Sequence, residues 1–266
     1  MITGVYTERG AAIPGAVVWR TLATDPSAVK RVLPDGCMDL LWMDGALRIA
    51  GPDTAAYLPV QVPGARGLGL RLAPGFGPEV FGLPANELRD QRVDLDAVWP
   101  TRVVRSLTDR VAAADDPGAV LEAIAAGSLA DGDGPEPWAL SMAAAMRRGE
   151  SVSDTARAVG FSERQLHRRS IAAFGYGPKT LARILRLQRA LEHVHAGQSL
   201  ALAAARAGYA DQAHLSRDAR RLAGATVSDV VHDSSAENRL IPLPSGSWTT
   251  AKRWPHTASK GFRWPS

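Results

Sequence analysis

Arg168 and Arg217 hold equivalent places in a pattern that the chain writes twice. The first copy, SVSDTARAVGFSERQLHRR, runs from Ser151 to Arg169, and the second, SLALAAARAGYADQAHLSRDARR, from Ser199 to Arg221. A guanidinium is a planar fork of donors that fits guanine O6 and N7, or a phosphate. At helical spacing Leu166 and Ser170 turn inward, which leaves Glu163, Arg164, His167 and Arg168 outward. His167 donates or accepts according to its tautomer. In the second copy Leu215 turns inward, with Gln212, Ala213, Ser216 and Arg217 around it. A glutamine amide can pair bidentately with adenine. Side chains of these types can pair with base edges.

Such side chains need a rigid support, and the flanking residues spell one. Each copy parses as helix, tight turn, helix. Gly160 and Gly208 correspond, and each permits the left-handed backbone that ends a helix. Phe161 and Tyr209 follow as plugs between the helices. Ser162 and Asp211 then suit N-caps, and Ser162 to Gln165 fits a capping box. The small Ala156 and Ala204 let the second helix approach the first. The second helices span about 162–174 and 211–222, and a helix so placed can enter a major groove. Between the copies, PKTLARILRLQRALEHVHAG (Pro178 to Gly197) predicts one long helix. Leu181, Ile184, Leu185, Leu187, Leu191 and Val194 form its apolar stripe.

Two such motifs joined by one helix, with the phrases GYADQAHLSRDARRLAG and FGYGPKTLARILRLQRAL, resemble the DNA-binding domain of AraC-type transcriptional regulators. The likeness runs roughly from Trp138 to Asp233. It implies base contacts by Arg164, His167 and Arg168 in the first copy, and by Gln212, Ala213, Ser216 and Arg217 in the second. Arg169, Arg220 and Arg221 read equally as phosphate clamps or as solvated charges, and His214 as packing, phosphate or base contact. The resemblance implies double-stranded DNA as partner, RNA polymerase beside it, and no cofactor. This chain departs from the family pattern in three places. Ser170 and Ala219 stand where a phenylalanine is usual, and Thr226-Val227 where Thr-Pro is usual. The smaller groups predict a less filled core unless Ile171 and Phe174 compensate.

Charge is divided along the chain. Residues 1–137 carry 12 Lys/Arg against 18 Asp/Glu, residues 138–234 carry 14 against 8, and the tail carries 5 against 1. Positive charge gathers on the repeated motif, as phosphate binding requires, or else it is ordinary solvated surface, since a patch needs clustering in space. No run of about 18 apolar residues suggests a membrane span, and MITGVYTERG lacks the features of a signal peptide. A single cysteine, Cys37, allows no internal disulfide, which fits a reducing cytoplasm. No phosphate-loop, zinc-protease or nucleophile-elbow motif appears, so an enzyme is not expected. All six histidines lie at or beyond His167, which leaves the first half without a histidine base or metal ligand.

The expected fold class is α+β. The first half is a small β barrel or sandwich with trailing helices, and the second an all-α tandem helix-turn-helix. Strand candidates are Ala16–Leu22, Val29–Leu33, Met38–Met43, Leu47–Ala50 and Leu68–Leu72. Pro34-Asp35-Gly36 reads as a hairpin turn that brings Cys37 to the start of a returning strand. Helices are predicted over Pro84–Gln91, Leu95–Trp99, Thr101–Ala114 and Pro117–Gly127, then Trp138–Arg148 after an Asp131–Pro137 linker. The division is therefore 1–130, a linker at 131–137, 138–233, and a mobile basic tail at 234–266. In that tail Lys252, Arg253, Lys260 and Arg263 either touch phosphates nonspecifically or do nothing.

The first half, through VLPDGCMDLLW, IAGPDT and GLRLAPGFGPEVFGLPANELRDQRV, resembles the N-terminal domain of a subset of AraC-type regulators. By analogy it senses a small-molecule effector or makes a homodimer. Trp19, Trp42 and Tyr57 read as a pocket lining or as aromatic core. Two alternatives stand beside DNA regulation. One is an interaction protein or adaptor without effector. The other is an alkyl- or redox-responsive regulator acting through Cys37, whose competing reading is a packed thiol.

Overall fold

The computed structural model describes residues 4–23, 31–60, 62, 64–131 and 134–233. The first half is built on one six-stranded antiparallel sheet in the order β1-β2-β5-β3-β4-β6. Its strands are β1 (Gly4–Gly10), β2 (Val17–Ala23), β3 (Met38–Met43), β4 (Ala46–Ala50), β5 (Arg66–Leu72) and β6 (Arg92–Asp94). Alternation along β5 decides what each face carries. Leu68, Leu70 and Leu72 join Val18, Leu40, Leu47 and Ile49 in the core. Against them pack α1 (Gly77–Phe81), α2 (Thr101–Ala112) and α3 (Pro117–Asp131), through Phe81, Leu107, Val111 and Leu121.

Gly67, Gly69 and Arg71 alternate onto the opposite face. The Trp19 indole lies across the gap that the glycines leave, and a Cβ on Gly69 would meet that ring at 2.5 Å. Its Nε1 donates to Asp39 at 3.1 Å. Arg71 is buried with its Nε 3.4 Å from both Asp35 and Asp39. Burial works against that guanidinium, but the two carboxylates outweigh it and hold Arg71 charged. Trp42 packs on the sheet core, and Tyr57 lies under the Arg92 guanidinium at 4.1 Å.

The expected α+β class holds, with several local corrections. Pro34-Asp35-Gly36 does not close a hairpin. The neighbours of β3 are β4 and β5, and Val32 makes only an isolated bridge with Tyr57. The first two residues of the Val29–Leu33 candidate, 29 and 30, lie outside the described residues. The true hairpin joins β3 to β4 through Asp44 (φ 52°) and Gly45 (φ 75°), a two-residue turn with both central residues at positive φ. The Pro84–Gln91 helix shortens to a 3-10 turn at Ala85–Leu88, because Asp90 takes φ 59° and turns the chain back. Leu95–Ala97 is likewise a 3-10 turn. The tail from residue 234 lies outside the described residues.

The second half is all helix. It comprises α4 (Pro137–Arg148), α5 (Val152–Ala158), α6 (Glu163–Phe174), α7 (Pro178–His195), α8 (Leu200–Ala207), α9 (Gln212–Ala223) and α10 (Val227–Asp233). Helix α7 runs through the middle, and its Leu181, Ile184, Leu185, Leu187 and Leu191 are buried as their spacing predicted. Ser170 is wholly buried, and its hydroxyl donates to the Tyr176 carbonyl at 2.8 Å. Phe174 is buried in the same core, edge-on to Trp138 at 6.4 Å, with Phe161 on Trp138 at 5.7 Å. Thr226 caps α10 by accepting from the Asp229 amide at 3.1 Å, which replaces the usual proline entry.

Gly51 follows β4 directly, and its Cβ position lies 1.7 Å from the Leu88 carbonyl oxygen. Because the obstacle is backbone, Gly51→Ala should destabilise the chain by at least about 2 kcal/mol. Equilibrium urea unfolding checks this.

Candidate nucleic-acid interface

Helix α6 starts as the local sequence dictates. The Ser162 hydroxyl accepts from the Gln165 amide at 3.3 Å, and the Gln165 side chain accepts from the Ser162 amide at 2.9 Å. The capping box is therefore complete. Asp211 caps α9 by accepting from the His214 amide at 2.6 Å. Gly175 (φ 81°) and Gly224 (φ 66°) end the two helices in the left-handed region. Leu166 and Leu215 are fully buried, which fixes how each helix is rolled.

That roll leaves Arg164, His167 and Arg168 of α6 exposed, together with Gln212, Ala213 and Arg217 of α9. Ser216 is half-buried, and its hydroxyl donates back to the Gln212 carbonyl at 2.9 Å. The His167 ring lies against Gly177, whose Cβ position is 2.7 Å from Nε2, so the imidazole leans towards the α6–α7 turn. Arg220 and Arg221 are exposed near the end of α9. Arg169 differs from its neighbours. Its guanidinium sits over Phe161 at 4.6 Å and reaches Glu136 at 4.0 Å.

The arginines of this half thus sort into two kinds. Among the described residues, Arg164, Arg168 and Arg217 have no carboxylate partner. Arg183, Arg186 and Arg189 are all spent on structure. Asp218, on the inner side of α9, accepts from Arg186 at 2.9 Å and lies 3.7 Å from Arg183. Arg186 also covers the Tyr209 ring at 4.3 Å, and His214 meets the same ring edge-on at 5.0 Å. His214 is therefore engaged in packing. Burial, then the Asp218 carboxylate, pushes the Tyr209 hydroxyl up to about 12. Arg189 donates to the Arg147 carbonyl at 2.6 Å and to the Ala207 carbonyl at 2.9 Å. One side chain of α7 thereby closes the C-terminal ends of both α4 and α8, where a cation also suits the helix dipole.

The Arg186–Asp218 and Arg189 contacts were not foreseen from the sequence. The heptad-like stripe identified the buried face of α7, but gave no partners for the charged residues beside it. Cys37 is buried, and burial with the Asp35 carboxylate pushes its thiol well above the ordinary value. A reactive cysteine needs the opposite shift.

Asp218→Ala should free α9 from α7 and cost about 2–3 kcal/mol, less than a fully buried pair because the Arg186 side chain is 26% exposed. Thermal unfolding and the exchange of α9 amides would report it. Cys37 should resist iodoacetamide at pH 8 in the folded chain and react within minutes once the chain is unfolded, read by mass spectrometry.

Residues 16–94 match a family described as a domain of unknown function (DUF6597), and residues 145–232 match one described as a helix-turn-helix domain. No curated protein matches the chain. Among solved structures, ToxT from Vibrio cholerae O395 is similar at 8% identity, over 89% of this chain and 100% of that one, with TM-score 0.46. The same protein bound to (E)-4-(8-methylnaphthalen-1-yl)but-3-enoic acid is similar at 9% identity, over 86% and 98%, with TM-score 0.46. Unsaturated fatty acid bound wild-type ToxT from strain SCE256 is similar at 9% identity, over 88% and 97%, with TM-score 0.44. With its repeated caps, glycines and inward leucines matched from residue 145 to 232, the C-terminal half is an AraC-type helix-turn-helix domain, and the chain is a DNA-binding transcriptional regulator.

Proposed function

We propose that the chain binds double-stranded DNA sequence-specifically through α6 and α9, which enter successive major-groove segments about 34 Å apart. Base edges are met by Arg164, His167 and Arg168 of α6 and by Gln212, Ala213, Ser216 and Arg217 of α9. Arg220 and Arg221 are better suited to phosphates. In this reading Arg169 supports α6 through Phe161 and Glu136 rather than reaching the duplex. The observation that carries the proposal is the division of labour among the arginines. Those facing outward on the two capped helices lack a carboxylate partner among the described residues, while those facing inward are all engaged. A guanidinium held out in this way keeps its donors for a ligand.

The first half, residues 1–130 with a linker at 131–137, is the part that senses an effector or pairs with a second copy. Residues 138–233 form the DNA-binding domain, with RNA polymerase as the expected further partner. Among the described residues no helix is long and apolar enough to cross a membrane.

The test is selection of duplexes from a random library, followed by titration of variants. Arg168→Ala should weaken binding to the selected duplex by 1–3 kcal/mol, about 5–150-fold, and relax preference at one base pair. A uniform loss across all sequences would move Arg168 to the phosphates. Binding should also weaken steeply between 50 and 200 mM salt, with a log–log slope of several units. A flat response would point to a protein interface instead.

A further inference from the structure

The described contacts between the two halves converge on the rear of the DNA-binding domain. Three are hydrogen bonds that cross the seam. Arg89 donates from Nη1 to the Gly175 carbonyl at 3.2 Å, at the C-terminal end of α6. The Ala56 amide donates to the Leu222 carbonyl at 2.7 Å, in the last turn of α9. The Gln188 amide of α7 donates to the Pro34 carbonyl at 2.6 Å, and this side chain is 2% exposed. The first two acceptors belong to the set of carbonyls that a helix cannot satisfy from within. Each lies at the far end of its helix from the outward residues that would read DNA.

Arg89 and Ala56 are presented by one small unit. The segment from Gly51 to Tyr57 is tied to the segment from Leu88 to Arg92 at several points. Gly51 donates to the Gln91 carbonyl at 2.9 Å, and Asp90 to the Pro52 carbonyl at 3.1 Å. Asp90 accepts from the Thr54 amide at 2.6 Å, and Arg92 makes two bonds to Asp53 at 2.5 and 2.6 Å. The unit also fits the α6 terminus sterically. A Cβ on Gly175 would lie 2.6 Å from Pro52 Cγ, so only glycine lets the end of α6 sit this close to the Pro52 ring at φ 81°. Tyr176, next along, is 4% exposed, and its hydroxyl has no hydrogen-bond partner among the described residues. Burial raises that hydroxyl well above its ordinary value, and Asp35, Cys37, Asp53 and Asp90 add to the shift. Its position sets the α6–α7 turn against the N-terminal half.

We propose that the N-terminal half is a two-point brace that fixes the separation of the two recognition helices, with Arg89 holding the end of α6 and the Ala56 amide the end of α9. The brace rests on the reading of α6 and α9 as recognition helices. It makes Arg89 and Ala56 positioning residues for DNA binding, although neither belongs to the helix-turn-helix domain. It also gives the N-terminal half a direct mechanical route to the reading surface. Any event that shifts the Gly51–Tyr57 segment moves both carbonyl contacts at once.

The experiment uses the full chain and a duplex that it selects from a random library. The half-sites are then moved apart or together by one base pair. The wild type should bind the selected spacing best and lose affinity steeply on either side. Arg89→Ala and Ala56→Pro, which each remove one donor, should weaken binding to the selected duplex about three- to tenfold. They should also flatten the spacing dependence, while binding to a single half-site stays within about twofold. Arg89→Lys keeps one donor and should restore the wild-type profile. Hydrogen exchange should rise at the end of α6 in Arg89→Ala and at the end of α9 in Ala56→Pro, with α4 still protected. Should Ala56→Pro fail to fold, the Arg89 pair decides alone. The brace is overturned if folded Arg89→Ala keeps the wild-type spacing profile. It is equally overturned if Arg89→Ala weakens single half-sites as much and lowers the salt slope by about one, because that marks a phosphate contact. If instead Arg168→Ala and Arg217→Ala leave the selected duplex bound as tightly as before, the recognition-helix reading itself falls.

Discussion

The guanidinium of Arg189 stands between two helix ends, that of α4 and that of α8. It donates to Arg147 at the end of α4 and to Ala207 at the end of α8, so one half-buried cation ties the helix ahead of the first repeat to the first helix of the second. Burial, then the neighbouring Arg186, lowers the Arg189 pKa, yet the two carbonyls accept from it where helix ends carry partial negative charge. The rest of the domain follows from this position. Gly149 ends α4 at φ 84°, a conformation that favours glycine, and its Cβ position lies 2.7 Å from Arg189 Nη1. Three residues before Arg189 on α7, Arg186 fastens α9 through Asp218, and next to it Gln188 fastens the Pro34 turn. Helix α7 therefore has no idle polar side in its central turns, and this is what makes one body of two helix-turn-helix units.

How much of this was legible in the residues depends on distance along the chain. Caps are local, and Ser162 with Gln165, Asp211, Gly160 (φ 75°) and Gly208 (φ 82°) all do what their types predicted. The stripe on α7 is periodic and was read correctly. The Asp44-Gly45 pair was also a local signal, a D-G step between apolar runs, and it marks the β3–β4 hairpin that was overlooked. Pro34-Asp35-Gly36 shows the opposite failure. Its turn chemistry was right, since Gly36 takes φ 85°, but the partner is α7 and not a neighbouring strand. Leu181 Cδ1 lies 3.1 Å from the Gly36 Cβ position, 145 residues on in sequence, and no local rule carries that information. Strand β6, three residues at the sheet edge, is too short to show a period.

The outward residues of the candidate site were legible for the same reason as the stripe. Once Leu166 and Leu215 are inside, the helical period assigns Arg164, Arg168 and Arg217 to the outside. What the period could not do was separate the engaged cations from the disengaged ones. Arg169 is adjacent to Arg168, yet it lies over Phe161. His214, capped within the first turn of α9, turns its ring to Tyr209. Both choices are made by aromatic residues in the preceding turns, Phe161 and Tyr209, which the sequence identified as plugs. Each plug thus does two things: it fills the gap between helices, and it takes a cation or imidazole out of play.

The direction of the helices gives the seam its electrostatic logic. An α-helix leaves N–H groups unpaired at its start and carbonyls unpaired at its end. In α6 and α9 the starts are capped by Ser162 and Asp211, on the side where the outward residues stand. The ends meet the N-terminal half, which offers donors there, the Arg89 guanidinium and the Ala56 amide. The N-terminal half is acidic by sequence, 18 Asp/Glu against 12 Lys/Arg over residues 1–137. It nevertheless meets the negative helix ends with a cation and a backbone donor, while Asp53 is paired with Arg92 and Asp90 accepts from Thr54. The Asp53–Arg92 pair and the Asp90–Thr54 bond thus hold together the unit that presents Arg89 and Ala56 to the helix ends.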